Sequence, residues 1–294
     1  MAMNTTIQIR DEIKDVFSKL ETNNFATLGM PDEPMWEEPL VGIAAGDDEY
    51  YEFFKTHIGS FHMTPKELFL TKYGDDEKNA ERDINASDLR VISMAFPHVE
   101  QTVREQNTKF LFPCDRWVVA RGEWEPLMQE FSGNLVSSLE SQGIRAVSLD
   151  LFPSFHLETS ENLGIASVWS HRHTAFVAGL GTFGLSEGFI TEKGKAIRLT
   201  SMVVEMPLEV TSRTYKDQYE WCKFFSTGRC GACIKSCPAD AITTSGHDKN
   251  KCSAYEDVAI AKYWPKHIER GDYMFGCGIC QAGMPCSRSK PKEE

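Results

Sequence analysis

Eight of the nine cysteines in this 294-residue chain fall after residue 220, at spacings that suit metal ligands. The first run is Cys222, Cys230, Cys233 and Cys237, with Pro238 directly after it; the second is Cys252, Cys277, Cys280 and Cys286. A cubane [4Fe–4S] cluster needs four thiolates, and a tight C-x2-C loop supplies two of them from one turn. In two-cluster ferredoxins the cysteine before the proline ligates the other cluster, not that of its neighbours. The same logic assigns Cys222, Cys230, Cys233 and Cys286 to one cluster, and Cys237, Cys252, Cys277 and Cys280 to a second. Zinc is the rival, since paired C-x2-C motifs also make zinc ribbons. Ribbon pairs lie roughly 15–20 residues apart. The pairs at Cys230 and Cys277 are much farther apart, and zinc leaves four cysteines and the Cys-Pro signature without a role. Two departures from the simple ferredoxin run fall at its ends. Thr227 stands where the run would begin, so Cys222 must reach in from farther back, and Ser287 rather than proline follows Cys286. Cys114, in "FPCDRW", reads as a small buried residue.

A second stretch, "SHRHTAFVAGLGTFG", spans residues 170–184. Gly179, Gly181 and Gly184 spell G-x-G-x-x-G, the dinucleotide fingerprint. That motif requires a strand before it, a helix after it and an acidic residue about 20 positions on. Here the preceding residues read as a helix, "LSEGFITEKGKA" follows as a turn-rich segment, and Glu205 falls inside a predicted strand. A close backbone approach to some other ligand, or a tight packing turn, suits these glycines better. Just upstream, Ser170, His171, Arg172 and His173 stand together. Two histidines two apart do not share a helix face, which argues against a His–His metal site. The bland reading is a hydrogen-bonded polar turn. The functional one makes His171, Arg172 and His173 a proton donor or anion clamp beside a cofactor.

Several elements must position these groups. Ile9, Ile13, Val16, Phe17 and Leu20 recur at helical spacing. "LRVISMAF" (89–96) reads as a buried strand ended by Pro97. Leu127, Phe131, Leu135 and Leu139 predict a helix stopping at Gly143. Further strands are expected over 144–149 and 195–206, with residues 25–80 mixed. Strands alternating with helices up to residue 210 suggest α/β or α+β architecture. Cysteine, glycine and proline then rise. The expected class is α+β: an N-terminal α/β domain (1–212) that holds a cofactor or substrate, followed by a ferredoxin-like domain with two [4Fe–4S] clusters (213–294).

Hydrophobic residues make up 41% and charged residues 25% of the chain, ordinary globular values. No apolar run is long enough to span a membrane. The start "MAMNTTIQIRDEIKD" has no basic or apolar signal region, which predicts a cytoplasmic location. A net charge of −12 disfavours a nucleic-acid partner such as tRNA.

Together, "AGLGTFG" (178–184), "CGACIKSCPADAI" (230–242), "GCGICQ" (276–281) and, weakly, "ARG" (120–122) resemble the epoxyqueuosine reductases, relatives of the corrinoid reductive dehalogenases. The resemblance covers roughly residues 90–290. It implies cobalamin bound by the N-terminal domain against Gly179, Leu180, Gly181 and Gly184. It also implies two clusters that feed it electrons from a low-potential donor of ferredoxin or flavodoxin type. In that family a D-S-A-P-V-L-E-R segment precedes the glycine turn, and its Asp donates the catalytic proton. Counting back from Ala178 without a gap puts that Asp on Ile165 and the Glu on His171; only Arg172 matches. The Gly-Lys after the turn becomes Gly184–Leu185. The expectation is therefore an iron–sulfur reductase, corrinoid-dependent and oxygen-sensitive, acting on a small molecule other than the family's substrate. The alternative is a two-cluster electron-transfer protein with no organic cofactor.

Overall fold

The computed structural model describes residues 2–74, 84–152, 156–263 and 276–292. Helix α1 (Ala2–Ser18) is followed by β1 (Leu40–Ala45), α2 (Glu49–His57), α3 (Pro65–Tyr73) and β2 (Leu89–Pro97). Then come α4 (Glu100–Asn107), α5 (Asp115–Gly122), α6 (Trp124–Ser141), β3 (Ala146–Ser148), the hairpin β4 (Leu157–Ser160) and β5 (Gly164–Ser167), and α7 (His171–Val177). A second hairpin, β6 (Gly181–Phe183) and β7 (Phe189–Thr191), leads into β8 (Ile197–Glu205). The cysteine-rich part contributes α8 (Lys223–Thr227), α9 (Ala232–Ser236), the short pair β9 (Ile242–Thr243) and β10 (Gly246–His247), and α10 (Lys249–Tyr263).

The main sheet runs β1-β2-β8-β3, and every pair in it is antiparallel. That pairing makes the architecture α+β. Alternation along each strand divides the core in two. Ile92, Met94 and Phe96 of β2 face α1 and α6, where Phe96 packs edge-on against Phe131, with ring centroids 5.4 Å apart. Ala95 and Val91 face the side covered by α2, α3, α7 and the cysteine-rich part. Helix α6 ends as its sequence predicts. The amides of Gly143 and Ile144 return to the carbonyls of Glu140 and Leu139, and Gly143 has φ +78.

Strand β1 lies in the region that reads as mixed. Its run "LVGIAA" is short and broken by Gly42. The glycine is there for packing: a Cβ on it would sit 2.2 Å from the carbonyl oxygen of Ala178. Sheet and glycine turn are therefore pressed together. The two parts of the chain are also joined by main-chain bonds. The amides of Lys195 and Ala196, just before β8, donate to the carbonyls of Cys286 and Ser287 at 2.8 and 3.0 Å. No described helix is long and apolar enough to cross a membrane.

Candidate functional site

Four cysteines from distant parts of the sequence line one cavity. Cys222 starts α8, Cys230 and Cys233 flank the start of α9, and Cys286 closes the far wall, around about 410 Å³ of space partly open to solvent. The other four form a neighbouring group. The Cys252 thiol feels the charge of Cys280 and Cys237, and the Cys277 thiol that of Cys280 and Cys252. Burial pushes Cys233 up to about 11 against the pull of Lys195, and burial with the charge of Glu256 pushes Cys252 up to about 12. None of the nine cysteines is in a disulfide. Among the described residues no three His, Cys, Asp or Glu side chains come together as for a single ion. Cys114 lies apart, buried beside Val103 and Trp117.

Lys195 lies between the two groups. It is 3% exposed, lines the cavity, and donates from Nζ to Ser186 Oγ at 3.0 Å. Burial opposes its charge, yet the thiolates of Cys286, Cys280, Cys233 and Cys222 hold the ammonium above its usual value.

The glycine turn is filled with protein. A Cβ on Gly181 would meet the Ile190 carbonyl oxygen at 1.9 Å, and one on Gly179 would meet Thr211 and Ser212 at 3.1–3.2 Å. Leu180 is buried in the core. Of the four residues expected at an organic cofactor, Gly184 lines the cysteine cavity.

A second polar group lies at the edge of β8. Strand β3 stops at Ser148, opposite Met202, so no described strand pairs with β8 on that side from Ser201 back to Ile197. Asp150, just past β3, is held there by hydroxyls. Ser132 and Ser148 donate to its Oδ2 at 3.0 and 3.2 Å, and Thr200 of β8 does so as well. His171, at the start of α7, places Nε2 3.8 Å from Asp150 Oδ1 and Nδ1 2.9 Å from Ser201 Oγ. Trp169 Nε1, which can only donate, bonds Ser201 Oγ at 2.8 Å. The tautomer is set from the other nitrogen: Nε2 faces Asp150 Oδ1, and a neutral ring with its proton there leaves Nδ1 to accept from the Ser201 hydroxyl. Burial pulls the His171 pKa down, and Asp150 only partly restores it.

The remaining candidates part company. His173 turns away from the cleft into an aromatic nest of Phe54, Phe183 and His57. Its Nδ1 lies 2.7 Å from Ser170 Oγ, and burial lowers its pKa to about 3. Arg172 is exposed on α7. Ile165, where gap-free counting put the family's acid, is 45% exposed on the β4–β5 hairpin. Residues 150–153 read D-L-F-P, matching D-S-A-P in its first and last positions, and the hairpin lies between them and the glycine turn. Asp150 was therefore legible as a D-x-x-P directly after a strand, once an insertion is allowed.

Residues 226–286 match the family model described as a 4Fe-4S double cluster binding domain. The chain is 31% identical to an epoxyqueuosine reductase of Leadbetterella byssophila over 111 residues, which is 37% of this chain and 34% of that one. It is also 31% identical to the Vibrio cholerae enzyme over 124 residues, 41% and 31% of the respective chains. The matched stretch thus spans about a third of those relatives. Among solved structures, epoxyqueuosine reductase from Streptococcus thermophilus aligns with 99% of this chain and 69% of its own, at 16% identity and TM-score 0.47. A catabolic reductive dehalogenase aligns with 85% of this chain and 30% of its own, at 16% identity and TM-score 0.48. The chain is an iron–sulfur protein with a double [4Fe–4S] cluster domain and a divergent relative of the epoxyqueuosine reductases.

Proposed function

We propose that this protein is an iron–sulfur reductase that passes single electrons through two [4Fe–4S] clusters to the cleft at Asp150 and His171, where a small molecule is reduced. Cys222, Cys230, Cys233 and Cys286 would hold one cluster, and Cys237, Cys252, Cys277 and Cys280 the other. The observation that carries the reading is the Asp150–His171 pair, placed at the open edge of β8 and locked by Trp169 and Ser201. A pure electron carrier has no need of an oriented proton-holding pair. Reduction does need one, because each electron delivered to an organic substrate is usually matched by a proton.

The residues' roles follow from their contacts. Three hydroxyls fix the Asp150 carboxyl in one position, so a proton on it is presented at one point rather than over a mobile arc. His171 stays neutral because it is buried, and its Nε2–H faces Asp150 while Ser201 holds the other nitrogen. Lys195 places a fixed positive charge beside both clusters. A corrinoid, implied by the resemblance, would supply a strongly nucleophilic reduced centre when bound. Gly179 and Gly181 are packed against protein, so we place it instead beside Asp150 and His171.

The test is anaerobic purification with cluster reconstitution, then titration with cobalamin. The expected result is about eight irons per chain and retained cobalt with a corrinoid spectrum. About eight irons with no retained cobalt would remove the corrinoid from the reading. Fewer than about six would overturn the two-cluster assignment.

A further inference from the structure

Several arginines of this protein meet carboxylates. Arg116 meets Glu33 at 2.6 Å, Arg145 meets Glu205 at 2.7 Å, and Arg213 meets Asp48 at 2.8 Å. Three others do not. Arg121 at the end of α5, Arg172 on α7 and Arg198 on β8 lie close enough for each to feel another's charge. Among the described residues none of the three has an ion-pair partner, and Arg121 Nη1 and Arg198 Nε are buried with no hydrogen-bond acceptor. Burial and the two neighbouring guanidiniums press Arg198 well below its ordinary value.

Such a cluster is costly. A buried charge without a counter-charge or acceptor loses hydration and gains nothing in return. Glu256, whose charge both Arg121 and Arg198 feel, offsets them only in part and bonds neither: its Oε1 accepts the Cys277 amide at 3.0 Å. Two of the guanidiniums converge on one glycine: a Cβ added to Gly276 would lie 3.1 Å from Arg198 Nη2 and 3.9 Å from Arg121 Nε. Gly276 is held in place by its carbonyl, which accepts from Trp117 Nε1 at 2.9 Å. The point adjoins Cys277 on one side, while β8 and α7 bring Arg198 and Arg172 from the elements that carry Thr200, Ser201 and His171.

We propose that Arg121, Arg172 and Arg198 form a receptor for a carboxylate or phosphate group of the small-molecule substrate, beside the Asp150–His171 cleft. The proposal rests on the reductase reading for its placement, though not for its chemistry. Planar guanidinium forks bind the paired oxygens of such groups bidentately, which an ammonium cannot do. On a chain of net charge −12, a local trio of unpaired cations is a selective device: anions are repelled from most of the surface and admitted here. The anchored group would tether the rest of the substrate next to the second cluster and the proton-holding pair.

The test is calorimetric titration of the anaerobically purified, cluster-loaded protein with inorganic phosphate and with malonate. Wild type is expected to bind at least one of them, Arg198→Gln and the exposed Arg172→Gln each to weaken it at least tenfold, and Arg198→Lys to fall between. Iron content, measured alongside, identifies any variant that has lost its fold, and Arg172→Gln then carries the test alone. No binding by wild type at about 20 mM probe, or equal affinity in correctly loaded variants, overturns the proposal. A second arm compares cobalamin with cobinamide, which lacks the phosphodiester. If Arg198→Gln weakens cobalamin and leaves cobinamide unchanged, the bound anion belongs to the cofactor and the substrate assignment falls. Binding of phosphate requires no turnover, so an intact anion site in a protein without reductase activity would sink only the reductase reading.

Discussion

Replacing Lys195 by Met keeps the length and apolar stem of the side chain and removes one buried positive charge. Lys195 lines the cavity that Cys222, Cys230, Cys233 and Cys286 surround, and the thiolates of Cys286, Cys233 and Cys222 act on its ammonium. We take a separation on the order of 5 Å between that charge and the centre of whatever fills the cavity. At an effective dielectric constant of about 20, that separation gives about 3–4 kcal/mol for one unit of charge. Reduction adds one negative charge to a cluster, so the same energy favours the reduced state. At about 59 mV per tenfold change in a one-electron equilibrium, it corresponds to about 150 mV. Solvent at the open side lowers the figure, and the expected fall in the first cluster's potential on Lys195→Met is about 60–150 mV. The second cluster should fall less, since Cys280 alone of its proposed ligands is among the thiolates that act on Lys195. Spectroscopic redox titration of the loaded protein, followed by electron paramagnetic resonance, reads both potentials. Unchanged potentials, or a rise in either, would refute the electrostatic reasoning. A merely structural role for Lys195 would lower cluster content without displacing the potential of the clusters that remain.

Three further outcomes follow from the geometry. Cys233→Ala and Cys237→Ala should each remove about half of the iron but leave spectroscopically different clusters. Cys114→Ala should leave iron content intact, and iron loss there would overturn the ligand sets. Gly181→Ala should cost more than about 3 kcal/mol in denaturant unfolding, because its Cβ has no space beside the Ile190 carbonyl; a cost below about 1 kcal/mol would contradict the packing described. Acid should destabilise the protein through His62, whose pKa burial lowers to about 4. The unfolded imidazole takes its proton near pH 6.5 and the folded one only near 4, so the stability it contributes is full above about pH 6.5 and falls as pH drops toward 4. His62→Gln should flatten that slope, and equal slopes in the two proteins would exclude His62 as its source.

Legibility in the sequence tracked how local each signal was. The cysteine motifs are short-range, and the turn and helix that carry Cys230 and Cys233 are built within four residues. Strands β2 and β8 are rich in branched and other apolar residues, one closed by Pro97 and the other followed closely by Pro207, and a helix stop at Gly143 needs only its own turn. Strand β1 escaped notice because Gly42, the residue that weakens its pattern, answers to Ala178, more than a hundred residues away. The glycine turn misled for the same reason. Its letters are those of a ligand loop, but Ile190, Thr211 and Ser212 occupy the space a ligand would need.

The acid and the arginines were hidden by different causes. Asp150 was obscured by arithmetic: the β4–β5 hairpin lengthens the path from acid to turn, so a gap-free count lands on a residue in the insertion itself. The chemistry can survive such an insertion because Asp150 is not positioned by its sequence distance from Gly179. It is positioned by β3, by Ser132 on α6 and by Thr200 on β8, all of which lie outside the hairpin. Lengthening the connection therefore leaves the carboxyl where the sheet puts it, while the surface over the cleft changes. The arginine trio has no sequence signature at all, since its members come from three elements and share only an end point in space. An insertion that reshapes the cleft and a set of unpaired cations beside it are what a change of substrate on a retained electron path would require. His171 is then the residue to examine. Long-range nitrogen–proton spectra of the imidazole should find its proton on Nε2, and a proton on Nδ1 would break the link from Trp169 through Ser201 to Asp150.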